Sequence, residues 1–371
     1  METINPKALF AQRKDRASKG ERQLTSSQQY GILYQDEYME LTGSKVVTVE
    51  KDFDILKHVE TGDFVISMRS FQGGLEYSTK SGAISSAYVM LVPNLELVYP
   101  RFYRWLLKSS VYIDALQRTT NMVRDGQAMR YSNFAQVRLF TLPLDEQKSR
   151  ADFLDLECSS IDKILFKTRS SIEEYKKLKQ AVITQAVTEG TPAMFSSPHS
   201  VKLKYLISIV SGEAIRNEQL SDFGEYPVYG GGEIIGFCSQ YNTSEGSLII
   251  GRVGARCGCV THTTCKSWAT DNALIVLPTC NAKYMYYVIG HCQLNNLNTS
   301  NAQPLITSTK IKNVVVPYFS DAMQQQEIAD YLDAKCAKID GLIAKKEQLV
   351  KELESYKKSL IYEVVTGKRE V

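Results

Sequence analysis

The chain has 371 residues, with 44 lysines and arginines against 41 aspartates and glutamates, for a formal net charge of +3. Hydrophobic residues make up 43% and charged residues 23%, which excludes a disordered or fibrous chain, and no stretch approaches the roughly 20 apolar residues that span a bilayer. At roughly 100 to 200 residues per domain there is room for two cores, and with so small a net charge it is the placement of charge that would reveal a polyanionic partner.

Residues Met1 to Gly20 carry Lys7, Arg13, Lys14, Arg16 and Lys19 but no apolar core or small-residue cleavage site, so no secretory signal is expected and a cytoplasmic location is. A turn at Gly62-Asp63 leads into a buried strand from Phe64 that ends at Arg69. A second strand, Ser85 to Val92, is stopped by Pro93, and an aromatic helix follows over Arg101 to Leu107. Val137 to Leu142 forms a third strand before Pro143. A long helix free of Pro and Gly covers Gln147 to Thr188, and Gly190-Thr191-Pro192 to Ser196-Ser197-Pro198 reads as a linker.

The same order then returns. Gly246 to Arg252 parallels Gly62 to Arg69, Asp271 to Pro278 parallels Ser85 to Pro93, Lys283 to Ile289 parallels the aromatic helix, and Ile311 to Pro317 parallels Val137 to Pro143. Shifting the chain by 178 residues aligns Gln147 to Thr188 with Gln325 to Thr366 without a gap. Of these 42 positions 14 are identical, where chance gives about two or three. The identities include Ala151/Ala329, Asp152/Asp330, Leu154/Leu332, Asp155/Asp333, Cys158/Cys336, Ile161/Ile339, Asp162/Asp340 and Lys179/Lys357. Apolar positions three and four apart make each copy a coiled-coil seam, interrupted at Thr168/Lys346 and Lys179/Lys357. The expected fold is α+β: two mixed α/β modules separated by two long antiparallel coiled-coil helices, a pseudo-twofold repeat. The expected boundaries are a module over 1–142, a helix over 143–190, a linker over 191–200, a module over 201–316 and a helix over 317–371. Each helix should be on the order of 60 Å long and hold the modules a fixed distance apart.

In the helix segments Gln326 to Asp333, Ile339-Asp340, Tyr356 to Ile361 and Val365 to Lys368 the chain resembles the specificity subunit of Type I restriction-modification complexes. Val201 to Leu206 resembles the opening of that family's recognition domain, and Tyr226 to Gly232 its glycine turn. The first module shows no obvious counterpart to either and runs Leu24 to Ile32 instead. The resemblance implies two target recognition domains, each reading half of a bipartite duplex DNA target, and helices that dock two methyltransferase subunits and, in the full complex, motor-nuclease subunits. It also implies a chain with no catalysis, cofactor or metal of its own. Consistent with that, no Asn-Pro-Pro-Tyr or Asp-Pro-Pro-Tyr element is present to hold a flipped adenine, and Gly367-Lys368 lacks the spacing of a phosphate-binding loop. Two other roles stay open: recognition in a methylation-only or related defence complex, and a coiled-coil scaffold whose modules bind protein.

Base reading calls for Arg or Lys toward guanine and Asn or Gln toward adenine, on loops that reach a groove. In the first module the candidates are Arg69, Gln72, Tyr77 and Lys80, then Arg124, Gln127, Arg130 and Asn133. In the second they are Tyr229, Arg252, Arg256, His262 and Lys266, then Asn301 and Gln303. Cys257, Cys259, His262 and Cys265 have the right elements for zinc, but their spacing is atypical and the first module has no counterpart. Tyr103, Trp105, Tyr286 and Tyr287 are expected in the core. His58, His199, His262 and His291 fall at unrelated positions and suggest no acid-base pair. The eight scattered cysteines are expected to be reduced.

Overall fold

A computed structural model describes residues 2–49, 53–67, 75–119, 130–193, 197–297 and 305–371. The chain forms two compact units, residues 1–168 with 348–371 and residues 169–347. These differ from the linear division at the helices. Because the helices run antiparallel within each unit, unit 1 combines the first half of one with the second half of the other, and unit 2 takes the remaining halves. The helices themselves span Leu144–Glu189 and Ala322–Val365, 46 and 44 residues long.

Unit 1 is built on a four-stranded antiparallel sheet in the order Phe10–Arg13, Tyr88–Pro93, Phe64–Ser67, Leu75–Tyr77. Unit 2 repeats it as Ile207–Ser211, Ala273–Pro278, Leu248–Gly251, Val260–His262. The register repeats as well. Phe64 lies between Leu91 and Tyr77, as Leu248 lies between Val276 and His262. Val65, Ile66, Ile249 and Ile250 are fully buried, which is why these central strands read as continuous apolar runs instead of alternating ones. Each module is closed by a two-stranded ladder of its first and last strands, Glu2–Ile4 with Leu139–Thr141 and His199–Lys202 with Val315–Tyr318. In unit 1 the core centres on Phe10, whose ring meets Phe64, Tyr103 and Phe134 edge-on at 5.4–5.8 Å, the geometry favoured by the aromatic quadrupole.

The first module does contain the features its sequence conceals. Ile4 to Leu9 forms an opening strand and helical turn in the place of Val201 to Tyr205. The hairpin Leu24–Ser27 with Gly31–Tyr34 stands where Tyr226–Gly230 pairs with Glu233–Cys238, and each hairpin has a parallel neighbour, through Gln23–Ala83 and through Val228–Trp268. The turn chemistry hides the kinship: three residues closed by Gly31 at φ +75° replace the run Gly230-Gly231-Gly232.

Each module grips its long helix by one repeated device. In unit 1 the buried Gln147 side chain accepts from the Tyr99 N–H at 2.7 Å and donates to the Leu97 and Leu142 carbonyls at 2.9 and 2.7 Å. Gln325 in unit 2 accepts from the Asn281 N–H at 3.1 Å and donates to the Phe319 carbonyl at 2.7 Å. Two turns on, Asp155 accepts from Trp105 Nε1 at 2.7 Å and pairs with Arg101 and Arg104, while Asp333 accepts from the Tyr287 hydroxyl at 2.7 Å and pairs with Lys283. The seam lysines belong to the same pattern. Lys357 reaches Asp162 at 2.6 Å in unit 1, and Lys179 reaches Asp340 at 2.7 Å in unit 2, so the interruption at Lys179/Lys357 is bridged by ion pairs across the antiparallel helices, while at the other interruption Thr168 is buried and Lys346 lies over the Tyr175 ring.

Candidate nucleic-acid interface

The central strand of each sheet ends at the equivalent register, Ser67 facing Tyr88 in unit 1 and Gly251 facing Ala273 in unit 2. In unit 2 the connection that follows carries Arg252 and Arg256. Its backbone is held closely: the Arg252 N–H donates to the Asn272 carbonyl at 3.0 Å, and its carbonyl accepts from the Ile306 N–H at 3.0 Å and the Cys257 thiol at 3.2 Å. Beside it lies the turn of the glycine hairpin. A Cβ on Gly251 would stand 2.3 Å from the Gly231 carbonyl oxygen, so only glycine allows the two backbones to approach this closely.

Among the described residues Arg252 makes no side-chain hydrogen bond or ion pair, which leaves all five guanidinium donors available. Arg256 pairs with Glu233 at 2.7 Å, and that contact, first by its hydrogen bond, raises the arginine pKa. Both partners are more than half exposed, so the pair is weak enough to exchange for another anion. Lys266 is exposed, 3.2 Å from the Tyr241 hydroxyl and 4.4 Å above that ring. In unit 1, Arg130 is exposed at the start of the short helix Tyr131–Phe134.

Other candidates serve the fold. Tyr77 is not on a loop: it lies in the edge strand with its ring 5.2 Å from Phe64. His262 occupies the matching register in unit 2, with its ring against Tyr286, and lines a polar cleft of about 690 Å³ together with Glu245, Lys283 and Asp333. Burial, then the nearby Lys283 charge, lower its pKa and favour the neutral imidazole. Lys80 is taken up by Glu37 at 2.5 Å and lies over the Tyr34 ring. Asn133 accepts from the Arg130 N–H at 3.0 Å and donates to the Thr119 carbonyl at 2.8 Å. Lys310, three residues after the Thr307 helix cap, donates likewise to the Leu297 carbonyl at 3.2 Å, so this position anchors a loop base in both modules. Tyr229 is 8% exposed and packs with Ile249, Ala269, Ala273 and Ile275, which makes it core. Arg69, Gln72, Arg124, Gln127, Asn301 and Gln303 lie outside the described residues.

Cys257 is buried while Cys259 and Cys265 are exposed, and among the described residues no three His, Cys, Asp or Glu side chains gather as metal ligands do. Tyr103 and Tyr287 are buried as expected, and Trp105 and Tyr286 pack against the cores. Among the described residues no helix is long and apolar enough to cross a membrane.

Residues 199–352 match the family described as Type I restriction modification DNA specificity domain. A stretch of 110 residues is 29% identical to the Type I restriction enzyme EcoprrI specificity subunit of Escherichia coli, covering 29% of this chain and 27% of that protein, so the match spans about a quarter of the relative's length. The fold is that of a chain solved in work on complex assembly and conformational transition of the type I R-M system, with a TM-score of 0.69 at 14% identity over 83% of each chain. A Type I S subunit from M. genitalium aligns at 17% identity over 98% of this chain and 95% of its own, with a TM-score of 0.49.

Proposed function

We propose, from the premise that the chain belongs to the Type I restriction-modification specificity family, that it is the non-catalytic subunit that selects the DNA target of such a complex. Unit 1 reads one half of a bipartite duplex target and unit 2 the other. The reading is carried by one observation: two modules of identical strand order and register, with Arg252 and Arg256 following the end of the central strand in unit 2; in the sequence, Arg69 and Gln72 follow the matching strand of unit 1. Cations and glutamines there supply the two functions that recognition needs. Phosphate contacts give affinity that falls with salt, and forked contacts to base edges give discrimination.

Methyl transfer and cleavage then belong to partners. A pseudo-twofold subunit offers two similar surfaces, which suits two copies of one methyltransferase, with motor-nuclease subunits joining in the full complex. The test is to mix the purified chain with its methyltransferase and footprint it on genomic fragments carrying the modified sites. Two protected and discontinuous half-sites, with binding that weakens steeply as salt is added, are expected. Methyl transfer by the chain alone, or salt-insensitive association with protein and no footprint, would overturn the assignment.

A further inference from the structure

The two hairpins occupy corresponding places in their modules, as the strand pairing of unit 2 shows first. There the strand Tyr226–Gly230 runs parallel to Trp268–Ala269, and that chain continues into Ala273, which faces Gly251. The hairpin therefore carries its turn toward the end of the module where the Arg252 connection starts. The strand Leu24–Ser27 runs the same way in unit 1. Its neighbour Gln23 bridges Ala83 in parallel, and that chain continues into Tyr88, which faces Ser67. The Tyr88 hydroxyl lies against the backbone of Ser26, the residue before the last of the strand, so the first hairpin's turn sits at the corresponding end of its own module.

That turn consists of Gln28, Gln29 and Tyr30, all exposed. Its shape is fixed in advance by Gly31 at φ +75° and by the Tyr30 N–H, which donates to Ser27 Oγ at 3.3 Å. Neither glutamine amide has a hydrogen-bond partner among the described residues. Two adjacent, unpartnered glutamines on a rigid turn are a poor choice for packing but a good one for base reading. A carboxamide presents one acceptor and one donor on a planar fork, which matches the N6 donor and N7 acceptor of adenine in the major groove.

We propose that Gln28 and Gln29 read adenine in the half-site recognised by unit 1. The proposal rests on the DNA-reading function above and assigns to the first module residues that its divergent sequence hides. The test uses the chain assembled with its methyltransferase and duplexes bearing the target found from adenine methylation in the host genome. Each required adenine of the half-site is replaced in turn by 7-deazaadenine, which lacks only the N7 acceptor. The wild-type complex is expected to lose roughly tenfold or more in affinity at one or two positions. The Gln28→Ala/Gln29→Ala variant, with an unchanged melting temperature, is expected to lose as much on unmodified DNA and nothing further from 7-deazaadenine at those positions. Wild-type discrimination at every position in the variant, an equal loss on target and random duplex, or a half-site requiring no A·T pair would each overturn the proposal while the broader function stood. If the wild-type complex bound no bipartite duplex, the DNA-reading function would fall with it.

Discussion

At Arg252 the backbone is fixed and the side chain has no partner among the described residues, the combination that lets a guanidinium present its fork without rearrangement. Arg252→Ala is expected to relax specificity at one or two positions in one half of the target, at a cost of roughly 1–3 kcal/mol if the residue forks onto a guanine. Binding measured across single-base variants of both half-sites decides the matter, since an equal loss on every sequence would make Arg252 a phosphate contact. A residue of opposite kind is His58, which is held by carboxylates on both ring nitrogens, Glu21 at 2.8 Å and Glu60 at 3.2 Å. Partial burial works against its charge, yet the hydrogen bonds that the ring donates to Glu21 and then Glu60 prevail and raise its pKa, while the two glutamates are lowered. A raised histidine stabilises the fold fully below its unfolded pKa of about 6.5 and loses that contribution as pH climbs through the folded value. The melting-temperature gap between wild type and His58→Gln should therefore be wide near pH 6 and narrow by pH 8.5; a gap independent of pH would show that the imidazolium contributes nothing. The sequence could not reveal this cluster or the Lys80–Glu37 pair, whose partners stand up to 43 residues apart and are joined only by the fold.

Between residue and molecule, the elements explain what was readable. The long helices were legible because coiled-coil contacts repeat every few residues and because the two copies align without a gap. The apolar runs at Phe64 and Leu248 were legible for the same local reason. Edge strands were not: Leu75–Tyr77 and Val260–His262 are three residues each, too short to show a period, so Tyr77 and His262 read as loop residues although a sheet holds them. The grip of module on helix was also concealed, although Gln147 and Gln325 are identical in the repeat, because nothing local marks a glutamine as bound to backbone. Its weight can be measured. Gln147→Ala leaves the Tyr99 N–H and the Leu97 and Leu142 carbonyls without their side-chain partner in a buried setting. At about 1–3 kcal/mol for each group left unsatisfied, a loss of at least about 2 kcal/mol is expected in chemical denaturation. Lys357→Met, which removes a partly exposed pair with Asp162, should cost under about 1 kcal/mol. If the two variants were equally harmful, the clamp would not be the dominant contact.

On the scale of the molecule, closure of each module by its own first and last strands should make the proposed recognition transplantable. Val201 faces Val316 in one antiparallel ladder, so the two ends of the second module lie side by side, and a replacement that keeps apolar residues at these two positions preserves the ladder and its packing on the core. What the replacement must keep is the grip on the helix. The donor needs a basic residue at the position of Lys283 and a hydroxyl or indole donor at that of Tyr287 for Asp333, along with a free backbone N–H for Gln325 at that of Asn281. Unit 1 satisfies the same three requirements with Arg101, Trp105 and Tyr99, which shows that the device tolerates changed residues so long as the donor chemistry is preserved. Exchanging residues 201–316 for the second module of another family member that meets these conditions is therefore expected to change one half of the methylated motif and leave the other intact, as read by methylation sequencing. A change in both halves would mean that specificity is shared between the modules, and an unchanged motif would mean that the second module does not read DNA. Because both modules obey the same contact rules, the converse exchange of the first module should alter only the other half.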